Sequence, residues 1–296
     1  MKKLKKFLTT VLSLTLCLSA FSGLATGCAK DDKTITVCAS EVPHAQVLNG
    51  IVKSELEKEG YTLEVTVLDW TMQNSAVASG DYDANYFQHL PYLQADTSGE
   101  QLFAACKVHY EPLGIYYGKA KTGTAVTDGK SFEVCNDESN AIRAFQLLTA
   151  KGVISQDVEG TNYPVSADGN SLTFSTDTWT SVSSGVTVKL VAENLLVQSK
   201  ADYDFACLPC NTAYTANVFA AERVAAEDDP VQVDEKANII AARKNDYKND
   251  EAYKAKIDAL VKVMLSSAVS SYFAETYGGV MTCDGSSQKD LRGSIA

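Results

Sequence analysis

The spacing of apolar residues alternates between two periods along the chain, and this alternation predicts an α/β fold. Residues 34–39 alternate apolar and polar side chains, as a strand does. Residues 43–59 instead carry four aliphatic side chains on one helical stripe, and residues 61–68 return to the alternation of a strand. A strand, a helix and a strand in this order predict parallel strands joined by a crossover helix.

The same criteria predict further elements as far as the C-terminus. Strands are predicted at 82–86, 106–117, 132–135, 187–192, 203–208 and 238–242. Helices are predicted at 71–78, 91–96, 139–151, 253–264 and 267–277. The stretch 163–184 is rich in Ser, Thr, Asp and Gly and is expected to form loops. The alternation of strands and helices breaks near Tyr110 and near Asn238.

The N-terminus has the composition of a secretory signal peptide. Four lysines within the first six residues precede an uncharged run from Phe7 to Gly27, and small residues stand just before Cys28. A membrane-spanning helix is the alternative, but it needs about 20 strongly apolar residues. Here the most apolar part, 7–21, is 15 residues long and contains several Ser and Thr residues. We therefore predict that residues 1–27 are removed after export.

The end of this segment, Leu24 to Cys28, resembles the lipobox of bacterial lipoproteins, in which the cysteine is acylated and becomes the new N-terminus. Ala25 stands where leucine is usual. Two or three acyl chains hold a soluble domain on a membrane more firmly than one chain, since each buried methylene contributes ~0.8 kcal/mol. We predict lipidation at Cys28, a short tether over residues 28–33, and a location on the extracytoplasmic face of the cell membrane.

The charge balance of the chain is acidic. Its 296 residues include 26 Lys and Arg against 37 Asp and Glu, for a net charge of −11, and loss of the four N-terminal lysines lowers this to −15. Such a charge repels phosphate backbones, so nucleic acid is not expected as a partner. The hydrophobic fraction of 45% is ordinary for a globular protein and excludes intrinsic disorder.

Six cysteines remain when Cys17 and Cys28 are set aside: Cys38, Cys106, Cys135, Cys207, Cys210 and Cys283. An even number in an exported chain permits disulfides. Cys207 and Cys210 have the spacing of a redox motif. Four of the six lie in apolar, strand-like runs, where a cysteine is often a small buried hydrophobe. Free thiols are favoured, while a local disulfide and redox chemistry remain open.

No motif for catalysis or for a cofactor is found in the sequence. GxGxxG, GxSxG and HExxH are absent, and the nearest imitation of a P-loop, 129–131, has Thr124 in place of the first glycine. The three histidines, His44, His89 and His109, follow no standard metal spacing; a zinc-binding importer lipoprotein would need several histidines and a carboxylate to converge. We therefore predict no enzyme, no cofactor and no metal.

Several stretches of the chain resemble a known family. They include Val42 to Ala45 (VPHA), Gly80 to Leu93 (GDYDANYFQHLPYL) and Glu111 to Tyr116 (EPLGIY). These motifs are similar to those of the methionine-binding lipoproteins of ABC importers, the NlpA/MetQ type. Further matches follow in order at Asn136 to Asn140 with Arg143, at Asn211 to Tyr214 and at Asn238 to Ile240. The resemblance thus spans about 34–282.

The resemblance implies a two-lobed periplasmic-binding-protein fold, type II-like, with a mainly parallel sheet flanked by helices in each lobe. Lobe 1 would comprise residues 34–112 and 240–296, and lobe 2 residues 113–239. The breaks in alternation near Tyr110 and Asn238 agree with these boundaries. Such lobes act as a hinge that closes on a ligand.

The resemblance also implies polar ligand-binding residues. Arg143 would bind the ligand carboxylate, because a guanidinium group matches a carboxylate with two parallel hydrogen bonds. Asn211 and Asn238, each at a strand end, would orient the ammonium and carboxylate groups by hydrogen bonds. A solvent-facing arginine and turn-forming asparagines are the structural alternatives.

Four further residues are implied to line the same pocket: Trp70, Phe87, His89 and Tyr92. His89 and Tyr92 are three positions apart, so on a helical turn they share one face. Aromatic walls suit a thioether, because sulfur is polarizable and packs well against ring edges. Packing in the aromatic core is the alternative role for these side chains.

The implied function is that of an extracytoplasmic, lipid-anchored solute-binding protein that captures L-methionine or a close relative for an ABC importer. Its partners would be an amino-acid ligand, the importer's permease and ATPase, and the membrane, and the protein is expected to be a monomer. One alternative is the same fold with another apolar amino acid, a methionine-containing dipeptide or an organic anion as ligand. Another is a surface adhesin or sensor lipoprotein that is not coupled to transport.

Overall fold

The computed structural model describes residues 33–126, 129–156, 171–172, 179–181, 186–218, 222–228, 230–278 and 280–295. The predicted signal peptide, the lipidation site at Cys28 and all of the tether except Lys33 lie outside these residues.

The strands follow in chain order: β1 (Thr34–Ala39), β2 (Thr62–Val67), β3 (Ala84–His89), β4 (Leu102–His109), β5 (Gly114–Tyr117), β6 (Ser131–Cys135), β7 (Ile154–Gln156), β8 (Ser171–Leu172), β9 (Trp179–Ser181), β10 (Thr187–Val191), β11 (Phe205–Leu208), β12 (Arg223–Ala226), β13 (Asn238–Arg243) and β14 (Lys289–Asp290).

The α-helices are α1 (Lys53–Lys58), α2 (Trp70–Ser79), α3 (Leu90–Ala95), α4 (Glu138–Ala150), α5 (Leu196–Ser199), α6 (Cys210–Thr215), α7 (Pro230–Lys236), α8 (Lys244–Asn249), α9 (Glu251–Met264) and α10 (Ser267–Tyr277). Two π-helical turns, Glu41–Ala45 and Leu48–Val52, precede α1. Short 3₁₀ turns occupy Thr97–Gln101, Glu193–Leu195, Lys200–Asp202 and Arg292–Ser294. Within the described residues, no single helix has the length and apolar composition of a membrane span; α9 and α10 meet that test only as a pair, bent by 51°.

The first sheet has the strand order β14-β4-β13-β3-β1-β2. β1 is parallel to β2 and β3, whereas β13 is antiparallel to both β3 and β4. Ile35 and Val37 pack on one face against α1, α9 and α10, and Cys38 packs on the other face with Val77 of α2. All six residues of β13 are buried, as expected for a central strand with helices on both faces.

The second sheet has the strand order β12-β5-β11-β6-β10-β8. β6 is parallel to β10 and β11, whereas β5 is antiparallel to β11 and β12. Phe132 packs with Phe145 of α4 on one face, and Ala206 packs on the other face with Leu196 of α5 and Ala213 of α6. Both sheets are mixed and flanked by helices, and the predicted α/β class is confirmed.

Aspartates cap the starts of three of the longer helices, α2, α4 and α9. The side chain of Asp69 accepts a hydrogen bond from the Thr71 backbone at the start of α2, and Asp137 and Asp250 act in the same way at α4 and α9. These caps satisfy N–H groups that have no partner inside the helix. α2 ends at Gly80, whose positive φ of 90° is a backbone conformation that favours glycine.

Two predictions about the elements were wrong. The single strand predicted over 106–117 is two strands in different sheets, β4 and β5, because the chain leaves the first sheet at Tyr110 and enters the second at Gly114. Both strands are buried on both faces, so the apolar pattern continues across the break and hides it. Within the predicted loop 163–184, the described residues belong to the short strands β8 and β9.

Candidate functional site

A cavity of about 70 Å³ lies where strands of both sheets end. Ser40 follows β1 and His89 ends β3 of the first sheet, while Glu193 and Pro209 follow β10 and β11 of the second. In open α/β sheets, ligands bind in the crevice beyond the carboxyl ends of the strands. The position of the cavity is therefore that of a binding site.

All seven residues proposed from the sequence as ligand-binding line this cavity: Trp70, Phe87, His89, Tyr92, Arg143, Asn211 and Asn238. Six residues that were not proposed line it as well: Ser40, Gln88, Glu111, Asn140, Glu193 and Pro209. The structure thus brings together side chains that are spread from Ser40 to Asn238, over about 200 positions of the sequence. Their role toward a ligand is taken up below as a proposal.

One wall of the cavity is aromatic. The ring of Tyr92 lies 5.4 Å from that of Trp70 and 5.7 Å from that of Phe87, and both pairs meet edge to face. The edge-to-face arrangement is a favourable one for aromatic pairs. The three side chains are only half-buried, so they offer ring surface to the cavity in addition to packing on one another.

His89 joins this wall to the second sheet. Its Nδ1 accepts a hydrogen bond from the Tyr92 backbone, and its Nε2 lies 3.4 Å from Oδ1 of Asn140. Burial, and secondarily the positive charge of Arg143, lower the pKa of His89 to about 3. The imidazole is therefore neutral near pH 7, with its proton on Nε2 facing Asn140.

Arg143 is buried and already has an acidic partner, Glu227. Its Nη2 lies 2.6 Å from Oε2 of Glu227 and its Nε lies 3.1 Å from Oε1, and Nη2 also donates to the Glu111 carbonyl oxygen. Lys236 contacts the same carboxylate, with its Nζ 3.3 Å from Oε1. The hydrogen bonds to Glu227 and Glu111 use Nε and Nη2 of Arg143, which leaves Nη1 as the nitrogen to donate to a ligand.

Glu227 is held in its charged form by these two cations. Burial alone would raise the pKa of Glu227, but the charge and hydrogen bonds of Arg143 and the charge of Lys236 outweigh it and lower the pKa to about 2. One carboxylate therefore faces two cations. Arg143 thus brings a guanidinium group to this end of the cavity, which suits an anionic group of a ligand.

Asn211 and Asn238 both have their side-chain oxygens engaged. Oδ1 of Asn211 accepts a hydrogen bond from the Thr212 backbone at 2.8 Å, and Oδ1 of Asn238 lies 3.0 Å from Nε2 of His44. Nδ2 of each asparagine has no hydrogen-bond partner within the described parts of the chain. Both side chains therefore offer N–H donors to the cavity.

A histidine pair and a glutamate lie behind the asparagines. The metal-ligating atoms of His44, His109 and Glu111 come within 4.8 Å of one another, and all three residues are buried. Two histidines and a carboxylate are a donor set that zinc sites use. Here Nε2 of His109 lies 2.7 Å from Oε1 of Glu111, and Tyr86 hydrogen-bonds to Nδ1 of the same ring. The facing atoms thus form hydrogen bonds with one another, and the expectation of no metal stays a prediction.

This cluster also supports the asparagines. Oε2 of Glu111 accepts the Asn211 backbone N–H at 3.2 Å, and His44 contacts both Asn238 and Glu111. Burial lowers the pKa of His44 to about 4 and that of His109 to about 3, and it raises the pKa of Glu111. Histidine spacing could not reveal the cluster, because His44 and His109 lie on separate elements and meet only in the fold.

The six cysteines considered above are all buried free thiols in the structure. Burial raises the pKa of the Cys210 thiol to about 12 and that of Cys207 further still. A reactive cysteine requires a lowered pKa and access to solvent. Cys207 and Cys210, the pair that resembles a redox motif, therefore lack both properties. Free thiols are also what the sequence favoured.

Comparison with known proteins points to one family. The model of a family described as NlpA lipoprotein matches residues 35–282. A methionine-binding lipoprotein, MetQ, from Bacillus subtilis is 31% identical over 291 residues, which cover 95% of this chain and 98% of the relative. The resemblance drawn from the sequence motifs is confirmed.

Solved structures agree with this result. A lipoprotein from Ruminococcus gnavus has a TM-score of 0.73 and 33% identity, with 85% of this chain and 99% of the other covered. A nutrient-binding protein from Burkholderia cenocepacia, solved with bound methionine, has a TM-score of 0.70 and 28% identity, with 84% and 99% covered.

Proposed function

Because this chain belongs to the NlpA lipoprotein family, we propose that it binds L-methionine or a close relative and delivers it to an ABC importer. The observation that carries the proposal is the convergence of the seven residues, four aromatic or imidazole and three polar, on one cavity. Similar proteins are named for methionine binding, and one of them was solved with methionine.

The cavity suits the two ends of such a ligand. Nη1 of Arg143 and Nδ2 of Asn211 and Asn238 are donors at one end of the cavity, and together they fit the α-carboxylate. The wall of Trp70 and Tyr92 fits the thioether, since a sulfur atom near a ring edge contributes ~0.3 to 1.5 kcal/mol per contact.

We also propose that the two sheets are the cores of two lobes, residues 34–112 with 240–296 and residues 113–239. β4 and β5 lie in different sheets and are joined by the short segment 110–113, where Pro112 interrupts the strand. Closing of one lobe on the other about such segments would enclose the ligand.

The coupling to transport completes the proposal. The exported chain would lose residues 1–27, carry its lipid on Cys28, and stand on the extracytoplasmic face of the membrane as a monomer without catalytic activity. Its partners would be the permease and the ATPase of the importer. Relatives that are named as lipoproteins support this location.

A ligand screen tests the proposed function. Purified protein spanning residues 29–296 is mixed with each of the twenty amino acids, with methionine-containing dipeptides and with small organic anions, and thermal unfolding is followed. A ligand at 100 times its Kd adds about 2.7 kcal/mol of stability, which gives an upward shift in Tm. We expect the largest shift with L-methionine. If no compound shifts the Tm, the proposal is contradicted. A larger shift with a dipeptide or an organic anion than with L-methionine would identify that compound as the ligand instead.

Arg143→Lys tests the carboxylate contact. Lysine keeps a positive charge near Glu227 but removes the second nitrogen of the fork, so we expect at least a 10-fold loss of affinity for methionine, measured by calorimetry. Arg292→Lys is the matched control, since Arg292 pairs with Asp258 and Asp290 and does not line the cavity. A loss below threefold for Arg143→Lys would refute the assigned role.

A further inference from the structure

A ligand with an α-ammonium group needs an acceptor in the cavity, and the side-chain oxygens of Asn211 and Asn238 are uncharged and already accept one hydrogen bond each. Oδ1 of Asn211 is engaged with the Thr212 backbone, and Oδ1 of Asn238 with His44. Nδ2 of each asparagine is a hydrogen-bond donor, and so is Nη1 of Arg143. These groups match a carboxylate and would meet an ammonium donor to donor.

Two carboxyl groups line the cavity within the described residues, and they differ in what they already bind. Both oxygens of Glu111 are engaged, Oε1 by His109 at 2.7 Å and Oε2 by the Asn211 backbone at 3.2 Å. Glu193 accepts a single hydrogen bond, from Oγ1 of Thr212 to its Oε1 at 3.2 Å. No described residue donates to its Oε2, which is thus free to accept a hydrogen bond from a ligand.

The charges around Glu193 favour a cation at this position. The charged groups that act most strongly on it are Glu111, Asp137 and Asp69, which are all acidic. Burial, followed by these like charges, raises the pKa of Glu193 to about 7 against the opposing effect of the Thr212 hydrogen bond. A carboxyl group that is desolvated and surrounded by acids lacks a counterion, and a ligand cation would supply it.

From this arrangement we infer that Glu193 binds the α-ammonium group of the ligand and thereby selects amino acids over their deaminated analogues. The inference rests on the proposed function and extends it. The cavity then has two poles, with Arg143 at one and Glu193 at the other. Such a pair of poles matches a zwitterion and disfavours a simple organic anion.

The test compares two ligands that differ in the ammonium group, L-methionine and its 2-oxo acid, 4-methylthio-2-oxobutanoate. Affinities are measured by calorimetry for the wild type, Glu193→Gln and Glu138→Gln. Glutamine keeps an Oε1 for the Thr212 hydrogen bond, so folding should be preserved, and Tm verifies this. Glu138 is the matched control because it lies exposed at the start of α4 and does not line the cavity.

We expect Glu193→Gln to lose at least 10-fold in affinity for methionine, to change less than threefold toward the oxo acid, and so to lose most of the preference between them. Glu138→Gln should alter both affinities less than twofold. Equal losses for the two ligands, or a loss below threefold for methionine, would overturn the inference while the proposed function stands. A wild type that binds no amino acid would overturn both.

Discussion

Glu227 is the residue on which most of the buried charges at this site depend. It binds Arg143 and Lys236, and its Oε2 also accepts hydrogen bonds from the Tyr110 hydroxyl and the Leu113 backbone. A buried carboxylate with this many partners contributes to stability only while it is ionised. The same carboxylate holds Arg143 in place and contacts both ends of the segment 110–113, which crosses between the sheets.

The lowered pKa of Glu227 gives a pH-dependent contribution to stability. Its pKa falls from 4.5 in the unfolded chain to about 2 in the folded protein, so the contribution is fully present above pH 4.5 and is lost as the pH falls toward 2. At 1.36 kcal/mol per pKa unit this amounts to about 3 kcal/mol. Glu227→Gln should therefore be less stable than the wild type at pH 7, and the difference should shrink between pH 4.5 and 2. Urea unfolding at several pH values measures it.

Glu57→Gln provides the control for this experiment, because Glu57 is exposed. The free energy of unfolding of Glu57→Gln should follow that of the wild type across the same pH range. A stability difference for Glu227→Gln that does not change with pH would show that the carboxylate acts by packing alone.

The inference that Glu193 binds the ammonium group predicts that ligand affinity depends on pH, because the pKa of Glu193 is raised. Its side chain must be ionised to attract an ammonium group, and with a pKa of about 7 it is increasingly protonated below neutrality. Methionine affinity should therefore fall as the pH drops from 8 to 5.5, by up to about 10-fold per unit below the pKa. Glu193→Gln should show a flatter profile. Because the pKa of Glu111 is also raised, the comparison of the two profiles isolates the contribution of Glu193. If methionine affinity depends on pH in the same way in the wild type and in Glu193→Gln, the assignment of Glu193 to the ammonium group is contradicted.

At the scale of elements, α4 connects the stability of the second sheet to the binding site. Asp137 caps its first turn through the Asn140 backbone and the Ser139 hydroxyl, and the same helix carries Arg143 into the cavity. One short stretch of sequence, from Asp137 to Arg143, thus contains both the cap of the helix and the arginine that lines the cavity.

Asp137→Ala should cost about 1 kcal/mol of unfolding free energy, the usual contribution of an N-cap, and should also weaken methionine binding because Asn140 and Arg143 lose their fixed position. Asp250→Ala removes the equivalent cap of α9, which does not contribute to the cavity, and should cost a similar stability without changing affinity. Urea unfolding measures the stability of both variants, and calorimetry measures their affinity for methionine. If the two variants change the affinity equally, the proposed link between the α4 cap and the cavity is contradicted.

Strands were harder to predict from the sequence than helices. The helix predicted at 267–277 is observed as Ser267–Tyr277, whereas the strand predicted at 106–117 divides between two sheets. An amphipathic helix displays its buried stripe in its own sequence. A strand buried on both faces carries no mark of the sheet to which it belongs, since its partners lie elsewhere in the chain.

At the scale of the whole molecule, the proposed lipid anchor on Cys28 would determine where the protein works. Cys28→Ser, expressed with its leader in bacterial cells, should move the protein from the membrane fraction to the soluble fraction, because the acyl chains would be lost. Cys17→Ser changes a cysteine inside the leader and should leave the protein on the membrane. Fractionation followed by immunoblotting measures both, and a membrane-bound Cys28→Ser protein would argue against the lipid anchor.

The sequence by itself determined the class of fold, the family and the seven residues around the cavity. The fold class rests on local periodicity, whereas the family and the seven residues rest on the resemblance of motifs, such as the stretch from Gly80 to Leu93, to those of a known family. The resemblance supplied the candidate residues, and the fold placed all seven on one cavity.

Only the tertiary structure decided how the charges of the site are paired. Arg143 and Glu227 are 84 positions apart, and neither the spacing nor the composition of the sequence connects them. Glu193 and Thr212 meet across 19 positions, and His44 and Asn238 across 194. Electrostatic and hydrogen-bond partners are set by distance in space and by burial, which follow from the packing of the two sheets and not from order along the chain.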